Sequence, residues 1–252
     1  MNVKSYLKRI KMEHRGNKAD HTLLSQLQKQ HMLTVPFENL DIIQGKRITL
    51  NVEDFFHKIV ENRRGGFCYE LNGLFHWLLK ELGFNSCILS AQVKRADGTF
   101  EPEYDHMMLL VHLDKDYVVD VGFGNSVRSP LPLSGEEIND VSGVYRIKPN
   151  YSILYGYFFQ KKRDGKWVSL YHFTKTPRSL SNFQAMCDYH QTSPDSDFTQ
   201  KLLCTMATEI GHVTLSGETL TITEGGMKRV YPISSLTERE QILSQYFGIT
   251  LP

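Results

Sequence analysis

The spacing of apolar residues divides the chain into a helical N-terminal part and a β-rich part that follows it. Up to about residue 83, apolar side chains recur every three or four positions, which is typical of amphipathic helices. This spacing predicts four helices, at residues 3–10, 21–33, 52–60 and 68–82. Asp20 and Asn51 can cap the second and third of these helices, and Gly83 can end the fourth in a left-handed conformation.

From about Ser86 the apolar pattern changes to alternation or to continuous runs, which are typical of strands. The predicted strands span residues 86–94, 106–113, 117–122, 143–148, 152–161 and 166–173, with hairpin turns at 97–98, 114–116 and 164–165. A helix at 181–190 and short strands at 212–215, 219–223 and 228–233 follow. The capping box Thr237-x-x-Glu240 predicts a last helix that runs to Phe247.

The composition is that of an ordinary soluble globular protein. The 252 residues are 40% hydrophobic and 23% charged, and 29 basic residues against 28 acidic ones give a formal net charge of +1. Such a balance does not favour binding to nucleic acid or to an anionic membrane. No window is apolar for 18 residues, and the first residues do not resemble a signal peptide, so we expect a cytoplasmic protein.

The cysteines do not form a metal-binding or disulfide pattern. They stand at positions 68, 87, 187 and 204, with no C-x-x-C pair and no short spacing to histidines, so neither zinc binding nor a disulfide framework is expected. The pair Gly122-x-Gly124 after a strand lacks the third glycine of the dinucleotide-binding fingerprint, and Arg128-Ser129-Pro130 stands where its helix should begin. Cysteine chemistry is the strong candidate that is left.

Cys68 is the candidate nucleophile. It follows Gly65-Gly66-Phe67 and begins a predicted helix, where unpaired N–H groups carry partial positive charge and favour thiolate over thiol. It shares a helix face with Leu71 and Phe75, so its sulfur should point into the protein and would need a base beside it. The alternative is an inert cysteine on an apolar face.

His106 and Asp120 are the candidate base and orienting carboxylate. His106 begins a predicted strand, and Asp120 lies in an otherwise apolar run, where a carboxylate is costly unless it is paired. Pairing of the two strands around residues 114–116 sets Asp120 opposite about Leu110, so simple pairing does not bring Asp120 to His106. A backbone-bonded histidine, a turn-forming aspartate and the rival base His112 therefore stay open as alternatives.

Five motifs together resemble the arylamine N-acetyltransferase family of bacterial type, and they fall in order over roughly residues 5–200. The motifs are Pro36-Phe37-Glu38-Asn39-Leu40, Arg64-Gly65-Gly66-Phe67-Cys68-Tyr69-Glu70-x-Asn72, His106 at a strand start, Asp120-Val121-Gly122-Phe123-Gly124, and His190-Gln191-Thr192-Ser193-Pro194-x-Ser196-x-Phe198.

The resemblance implies an α+β, cysteine-protease-like fold in three parts. Residues 1–83 would form a helical bundle with the nucleophile, residues 84–190 a β-barrel with the triad histidine and aspartate, and residues 191–252 a C-terminal α/β lid. The motifs carry the family's Cys-His-Asp triad onto Cys68, His106 and Asp120.

The resemblance also implies the chemistry. Acetyl-CoA would acetylate Cys68, CoA would leave, and an arylamine, arylhydrazine or N-hydroxyarylamine would take the acetyl group in a ping-pong reaction without a metal. Such transfer is typical of xenobiotic metabolism. Phe37 and Phe123 would line the acceptor pocket, and Gly122, Phe123 and Gly124 would lie near the cofactor. Arg64 and Glu38 would hold the bundle together.

The chain departs from some relatives at Glu103-Tyr104-Asp105, directly before His106, where those relatives have small hydroxyl and glycine residues that touch CoA. Two other functions also fit the same residues. A transglutaminase-like or protease-like amidase would use the same triad on peptides, and a silent binding domain would keep the fold without the chemistry.

Overall fold

The N-terminal part folds into helices in a computed structural model that describes residues 1–13, 16, 18–152 and 156–251. Its elements are α1 (Val3–Arg9), α2 (His21–Thr34), the short strand β1 (Phe37–Glu38), α3 (Leu40–Ile43), α4 (Val52–Phe56), a π-helical turn (His57–Glu61) that continues α4, and α5 (Cys68–Glu81). Asp20 accepts a hydrogen bond from the Leu23 amide at 2.9 Å, and Asn51 accepts one from the Glu53 amide at 2.8 Å. Both predicted N-caps are confirmed.

Helix α5 lies at the centre of this part. Its apolar side chains are fully buried: Leu71, Leu74, Phe75, Leu78 and Leu79. Each such side chain contributes about 1.5–3 kcal/mol through burial, so packing fixes the helix that begins with Cys68. Gly83 has a φ of 85° after the end of α5, which confirms the predicted left-handed stop.

The middle of the chain forms one antiparallel sheet of eight strands. They are β2 (Asn85–Val93), β3 (His106–His112), β4 (Asp116–Val119), β5 (Leu131–Pro132), β6 (Ile138–Asp140), β7 (Gly143–Asn150), β8 (Gly156–Arg163) and β9 (Lys166–Thr174). The strand order is β5-β4-β3-β2-β9-β8-β7-β6, and β5 approaches β7, so the sheet curls into a nearly closed barrel.

The C-terminal part begins with a 3₁₀ turn (Leu180–Phe183), α6 (Gln184–Thr192) and α7 (Asp197–Gln200). Strands β10 (Leu203–Thr208), β11 (Gly211–Ser216), β12 (Thr219–Glu224) and β13 (Met227–Pro232) form a second sheet, followed by α8 (Leu236–Phe247). Strand β1 pairs with β10 at the edge of this sheet, which ties the helical part to the C-terminal part. The predicted α+β class is confirmed.

Several predicted boundaries are wrong for physical reasons. The strand predicted at 117–122 ends at Val119, because the chain leaves the ladder at Asp120. Ser235 caps the last helix instead of Thr237, since the Ser235 hydroxyl accepts a hydrogen bond from the Glu238 amide at 3.1 Å. Part of the strand predicted at 152–161, residues 153–155, lies outside the described residues. Among the described residues, no helix is long and apolar enough to cross a bilayer.

A buried ion cluster of five side chains fixes the start of α5. The cluster is formed by Glu38, Asp41, Lys58, Arg64 and Glu70. Lys58 Nζ lies 2.8 Å from Asp41 and 2.9 Å from Glu70. Arg64 Nη2 lies 2.8 Å from Glu38 and 3.0 Å from Asp41. Three carboxylates thus share two cations away from water, so the charges are not fully balanced.

Glu70 connects the ion cluster to the start of helix α5. Its Oε2 accepts a hydrogen bond from the Phe67 amide at 3.1 Å, which satisfies one of the unpaired N–H groups at the helix start. Burial raises the pKa of Glu70 to about 7, although Lys58 acts in the opposite direction. The three carboxylates, together, hold the pKa of Lys58 above its usual value despite burial.

We predict a pH-dependent contribution of Glu70 to stability. Because its pKa rises from 4.5 to about 7 on folding, Glu70 stabilises the protein below about pH 4.5 and loses this contribution as the pH rises through 7. Glu70→Gln keeps an acceptor for the Phe67 amide and cannot ionise. Between pH 5 and pH 8, the native protein should lose about 2 kcal/mol of unfolding free energy relative to Glu70→Gln in urea titrations. Parallel pH profiles for the two proteins would contradict the prediction.

Candidate active site

Cys68 is the first residue of α5, and its side chain is buried. The residues before it lie against β1, where the Glu38 amide donates to the Gly66 carbonyl at 2.9 Å. A Cβ atom at Gly65 would stand 2.0 Å from the Pro36 carbonyl oxygen, so only glycine permits this approach. The two glycines therefore press the start of the helix against β1, whose Phe37 lines the same cavity as Cys68.

The thiol of Cys68 stands in an environment that opposes ionisation. Burial raises its pKa well above the usual value, a hydrogen bond from the Met107 amide lowers it, and the carboxylates of Asp105 and Asp120 raise it further. The partial positive charge at the helix start, which favours a thiolate, is thus opposed by burial and by two carboxylates. A thiolate here needs a neighbouring group that takes the proton.

His106 and Asp120 are in contact, which pairing by sequence did not predict. His106 Nε2 lies 2.7 Å from Asp120 Oδ2, and both side chains are buried. The register is two residues away from the one expected, since Leu110 pairs with Val118. If that register continued, Asp120 would lie opposite Met108. His106 is two residues from Met108, so it is the diagonal neighbour of Asp120 on the same face, and its imidazole ring can reach the carboxylate. The rival His112 pairs with Asp116 at 2.6 Å, at the other end of β3.

The Asp120 carboxylate accepts four hydrogen bonds. Oδ1 accepts from Asn72 Nδ2 at 3.0 Å and from the Gly122 amide at 2.9 Å. Oδ2 accepts from His106 Nε2 at 2.7 Å and from the Tyr171 hydroxyl at 3.1 Å. Four hydrogen bonds thereby stabilise the charge, as a buried carboxylate requires.

Sequence reasoning missed Asn72 and Tyr171 as parts of this site. Asn72 lies one helical turn after Cys68, and it also donates to the Met107 carbonyl at 2.7 Å and accepts from the Val121 amide at 3.0 Å. The available signal was an asparagine among the apolar residues of the predicted helix. Such a residue needs hydrogen-bond partners when it is buried, and Asn72 is fully buried. Tyr171 gave no signal, because a tyrosine in a strand is ordinary and its partner is distant in sequence.

A cavity of about 700 Å³ opens beside Cys68 and His106. All four residues expected near the ligands, Phe37, Gly122, Phe123 and Gly124, lie on its wall, together with Phe198. A Cβ atom at Gly122 would stand 2.6 Å from Asn72 Nδ2 and 2.8 Å from Cys68 Cα. Gly122 is thus required for close packing against Cys68 and Asn72.

Six charged side chains and one further histidine form part of the rest of the cavity wall. They are Arg95, Glu101, Asp105, His190, Asp195, Asp197 and Lys201. Arg95 is paired with Glu101 at 2.5 Å, and His190 with Asp105 at 3.3 Å. The cavity therefore combines an aromatic wall with a polar wall that carries both signs of charge.

Comparisons with known proteins agree on one family. A family model described as N-acetyltransferase matches residues 20–252. The chain is 32% identical to arylamine N-acetyltransferase 2 of Mus musculus, over 100% of this chain and 95% of the relative. The structure of arylamine N-acetyltransferase from M. tuberculosis superposes with a TM-score of 0.90 at 30% identity, over 98% of this chain and 94% of the other.

A third relative has a glutamate as the acidic residue of its catalytic triad. The arylamine N-acetyltransferase NAT3 of Bacillus cereus, with a TM-score of 0.90 and 28% identity over the full length of both chains, is described as having a unique Cys-His-Glu catalytic triad. In the present chain the carboxylate bound to His106 is Asp120. The fold and the matching family model are those of an acyltransferase, and the chain belongs to the arylamine N-acetyltransferase family.

We predict that Tyr171→Phe destabilises the fold more than a matched tyrosine change. Hydrogen bonds to charged groups contribute about 1.5–3 kcal/mol, and neutral ones about 0.5–1.5 kcal/mol. Tyr145→Phe is the control, since the buried Tyr145 hydroxyl bonds to the Ser142 hydroxyl at 2.9 Å and both rings pack on Phe159. Urea unfolding at pH 7 should show the larger loss for Tyr171→Phe. Equal losses of unfolding free energy would mean that the bond from the Tyr171 hydroxyl to Asp120 stabilises the fold no more than a neutral hydrogen bond.

Proposed function

We propose that the protein transfers an acetyl group from acetyl-CoA to arylamines, arylhydrazines or N-hydroxyarylamines, through a thioester on Cys68. The observation that carries this proposal is the contact of 2.7 Å between His106 and the buried Asp120, on the wall of the cavity that Cys68 also lines. Family membership supports the choice of an arylamine acceptor and a CoA thioester donor.

His106 is the proposed base. Its Nε2 is bound to Asp120, which leaves Nδ1 to take the proton from the Cys68 thiol. The hydrogen bond between the Met107 amide and the sulfur supports this role, because it holds the thiol beside the residue that follows His106. Since burial raises the pKa of the thiol, the thiolate forms together with an imidazolium, which the Asp120 charge stabilises.

The reaction then proceeds in two steps. The thiolate attacks the acetyl carbonyl carbon of acetyl-CoA, the C–S bond to CoA breaks, and the CoA thiolate takes the proton from the His106 imidazolium as it leaves. The acetyl group stays on Cys68 as a thioester, and His106 is neutral again. A neutral arylamine next attacks this new thioester, and its surplus proton passes to His106 as the bond to Cys68 breaks. N–H groups in the first turn of α5 can stabilise the tetrahedral oxyanion, at about 3 kcal/mol per donor.

The cavity suits both ligands in turn. Its volume of about 700 Å³ lies within the range of small-molecule sites, about 300–1,000 Å³. The rings of Phe37, Phe123 and Phe198 offer an apolar wall for a flat, neutral amine, whereas Lys201 and Arg95 offer positive charge on the polar wall. We propose Phe37 and Phe123 as acceptor contacts and the stretch Gly122–Gly124 as a contact of the donor.

We further propose that the three parts of the chain divide this work. Residues 1–83 supply the nucleophile, residues 84–190 supply the base and its carboxylate, and residues 191–252 cover the cavity. Contacts of β1 with β10 and of Asn39 with the backbone of Phe198 and Lys201, both at 2.9 Å, support a fixed arrangement of the lid on the helical part.

We predict that Cys68 carries acetyl after the protein is mixed with acetyl-CoA alone. Mass spectrometry of the digested protein should find the modification on the peptide that contains Cys68, with one equivalent of CoA released. The matched control is Cys187→Ala, because Cys187 is also buried in the helical core but does not line the cavity. Cys68→Ala should lose both the adduct and acetyl transfer while it keeps the fold.

Three outcomes would contradict the proposal. Substantial acetyl transfer by Cys68→Ala would exclude the cysteine as nucleophile. Turnover without any adduct on Cys68 would indicate direct transfer from acetyl-CoA to the amine. Hydrolysis of peptide amides that is indifferent to acetyl-CoA would identify the site as an amidase.

A further inference from the structure

A second pair of imidazole and carboxylate lies on the wall of the same cavity. His190, near the end of α6, is 5% exposed, and its Nε2 lies 3.3 Å from Asp105 Oδ1 and 3.2 Å from the Asp105 carbonyl oxygen. Asp105 is the residue before His106. This pair therefore joins helix α6 directly to the segment that enters the proposed base.

The same segment is also held from the nucleophile helix. The hydroxyl of Tyr69, the residue after Cys68, lies 2.7 Å from the Tyr104 carbonyl and 3.2 Å from the Asp105 carbonyl. The Asp105 carbonyl thus accepts from Tyr69 on one side and from His190 on the other. The position of the Asp105 carbonyl therefore sets the backbone conformation directly before His106.

The backbone of this segment depends on such contacts. Tyr104 has a φ of 71°, in the left-handed region that residues other than glycine rarely adopt. Its amide donates to the Ser90 hydroxyl at 2.8 Å, and its ring packs edge-on against Phe183. A strained conformation persists only where its surroundings hold it, so loss of one support should let the segment relax.

His190 is engaged on its other edge as well. Its Nδ1 lies 3.5 Å from the Ser196 hydroxyl, and its ring packs edge-on against Phe198 with centroids 5.1 Å apart. Both ring nitrogens therefore face protein groups instead of the cavity. This geometry fits a role in placing other residues better than direct proton transfer with a ligand.

We propose that His190 is a positioning residue that acts through Asp105 to set the place of His106 relative to Cys68. The pair also determines how the Asp105 carboxylate faces the thiol: bonded to an imidazole, its charge is partly offset. This inference rests on the proposed role of Cys68 and His106, and it assigns to the Glu103-Tyr104-Asp105 segment a part in the placement of the base.

Charged and titratable groups lie around both Cys68 and His190. Cys68 is influenced by Asp105, Asp120 and Cys187, and it shares the cavity with His106. His190 faces Asp105, and its ring contacts those of Tyr69 and Tyr189. Asp105 is the carboxylate common to both sets, so a change at His190 should reach Cys68 through it.

The test compares His190→Phe, which keeps ring packing without a donor, with His190→Gln, which restores an N–H donor. The control is His112→Phe, because His112 at the end of β3 also pairs with an aspartate, Asp116 on β4, but lies outside the cavity wall. Three quantities are measured for each variant: the melting temperature, the rate of Cys68 alkylation by iodoacetamide against pH, and the rate of the first CoA release from acetyl-CoA.

We expect His190→Phe to slow both reactions about tenfold to a hundredfold, as misplacement of a reacting group does. Its alkylation midpoint should move to higher pH, because the Asp105 charge is less offset, and His190→Gln should recover most of the rate. Native rates and midpoint in His190→Phe would overturn the proposal. So would a His190→Gln variant with a native melting temperature that is as slow as His190→Phe.

Asp105→Asn keeps the test decisive if His190→Phe fails to fold. This variant retains an oxygen acceptor for His190 and removes the charge, so its alkylation midpoint should move to lower pH, and an unchanged midpoint overturns the proposal. Alkylation needs no acetyl-CoA. A native protein that is alkylated at Cys68 but never acetylated would therefore reject the proposed function, while the variants still decide the role of His190.

Discussion

The buried carboxylate of Asp120 accepts hydrogen bonds from four separate places in the chain: helix α5, strand β3, strand β9 and its own following loop. A carboxylate without such partners could not stay ionised in this interior, since the transfer of an unpaired charge from water costs several kcal/mol or more. Burial and the Asp120 charge together raise the pKa of Tyr171, so its hydroxyl stays a neutral donor. Each donor reaches the carboxylate from its own element, so the hydrogen bonds form together only when the helical part and the barrel are correctly placed. The ring of His106 is placed as a consequence.

Cys68 is placed by different forces. Hydrophobic burial along α5 sets the helix, and the buried ion cluster with the Phe67 amide sets where the helix begins. Asn72 joins the two systems, because it belongs to α5 and donates to Asp120. Cys68 and His106 are therefore held by two polar networks, which helix α5 connects because it carries both Glu70 and Asn72. The site depends on geometry more than on a reactive thiol, since burial works against the thiolate until a base is present.

Features set by neighbouring residues could be predicted from the sequence. The Asp20 and Asn51 caps, the α5 helix with its Gly83 stop and the hairpin turns each follow from a few adjacent residues, and they are found where expected. The family resemblance supplied the three-part fold. It also brought His106 and Asp120 together when strand pairing alone did not, because the estimated register was two residues off.

Features that depend on distant partners could not be predicted. Strands β1 and β10 pair although they are distant in the sequence, as the pair Phe37 and Thr205 shows. Neither strand has a strong alternation of apolar and polar residues. Tyr171 reaches Asp120 from 51 positions away, and His190 reaches Asp105 from 85 positions away. The thiol is the remaining case: a helix start favours a thiolate, but the sequence does not show how completely the tertiary structure removes water from the sulfur.

The proposed reaction depends most on Asp120, which determines the nitrogen of His106 that carries the proton. Asp120→Asn tests it directly, because the asparagine oxygen can still accept from Asn72 and Gly122 while its NH₂ group faces His106 and Tyr171. An NH₂ donor forces the proton of neutral His106 onto Nδ1, where it can no longer accept from Cys68. Single-turnover acetylation by acetyl-CoA should then fall by about 10²- to 10⁴-fold in a protein that unfolds like the native one. A rate within a few-fold of the native rate in a correctly folded variant would contradict the account.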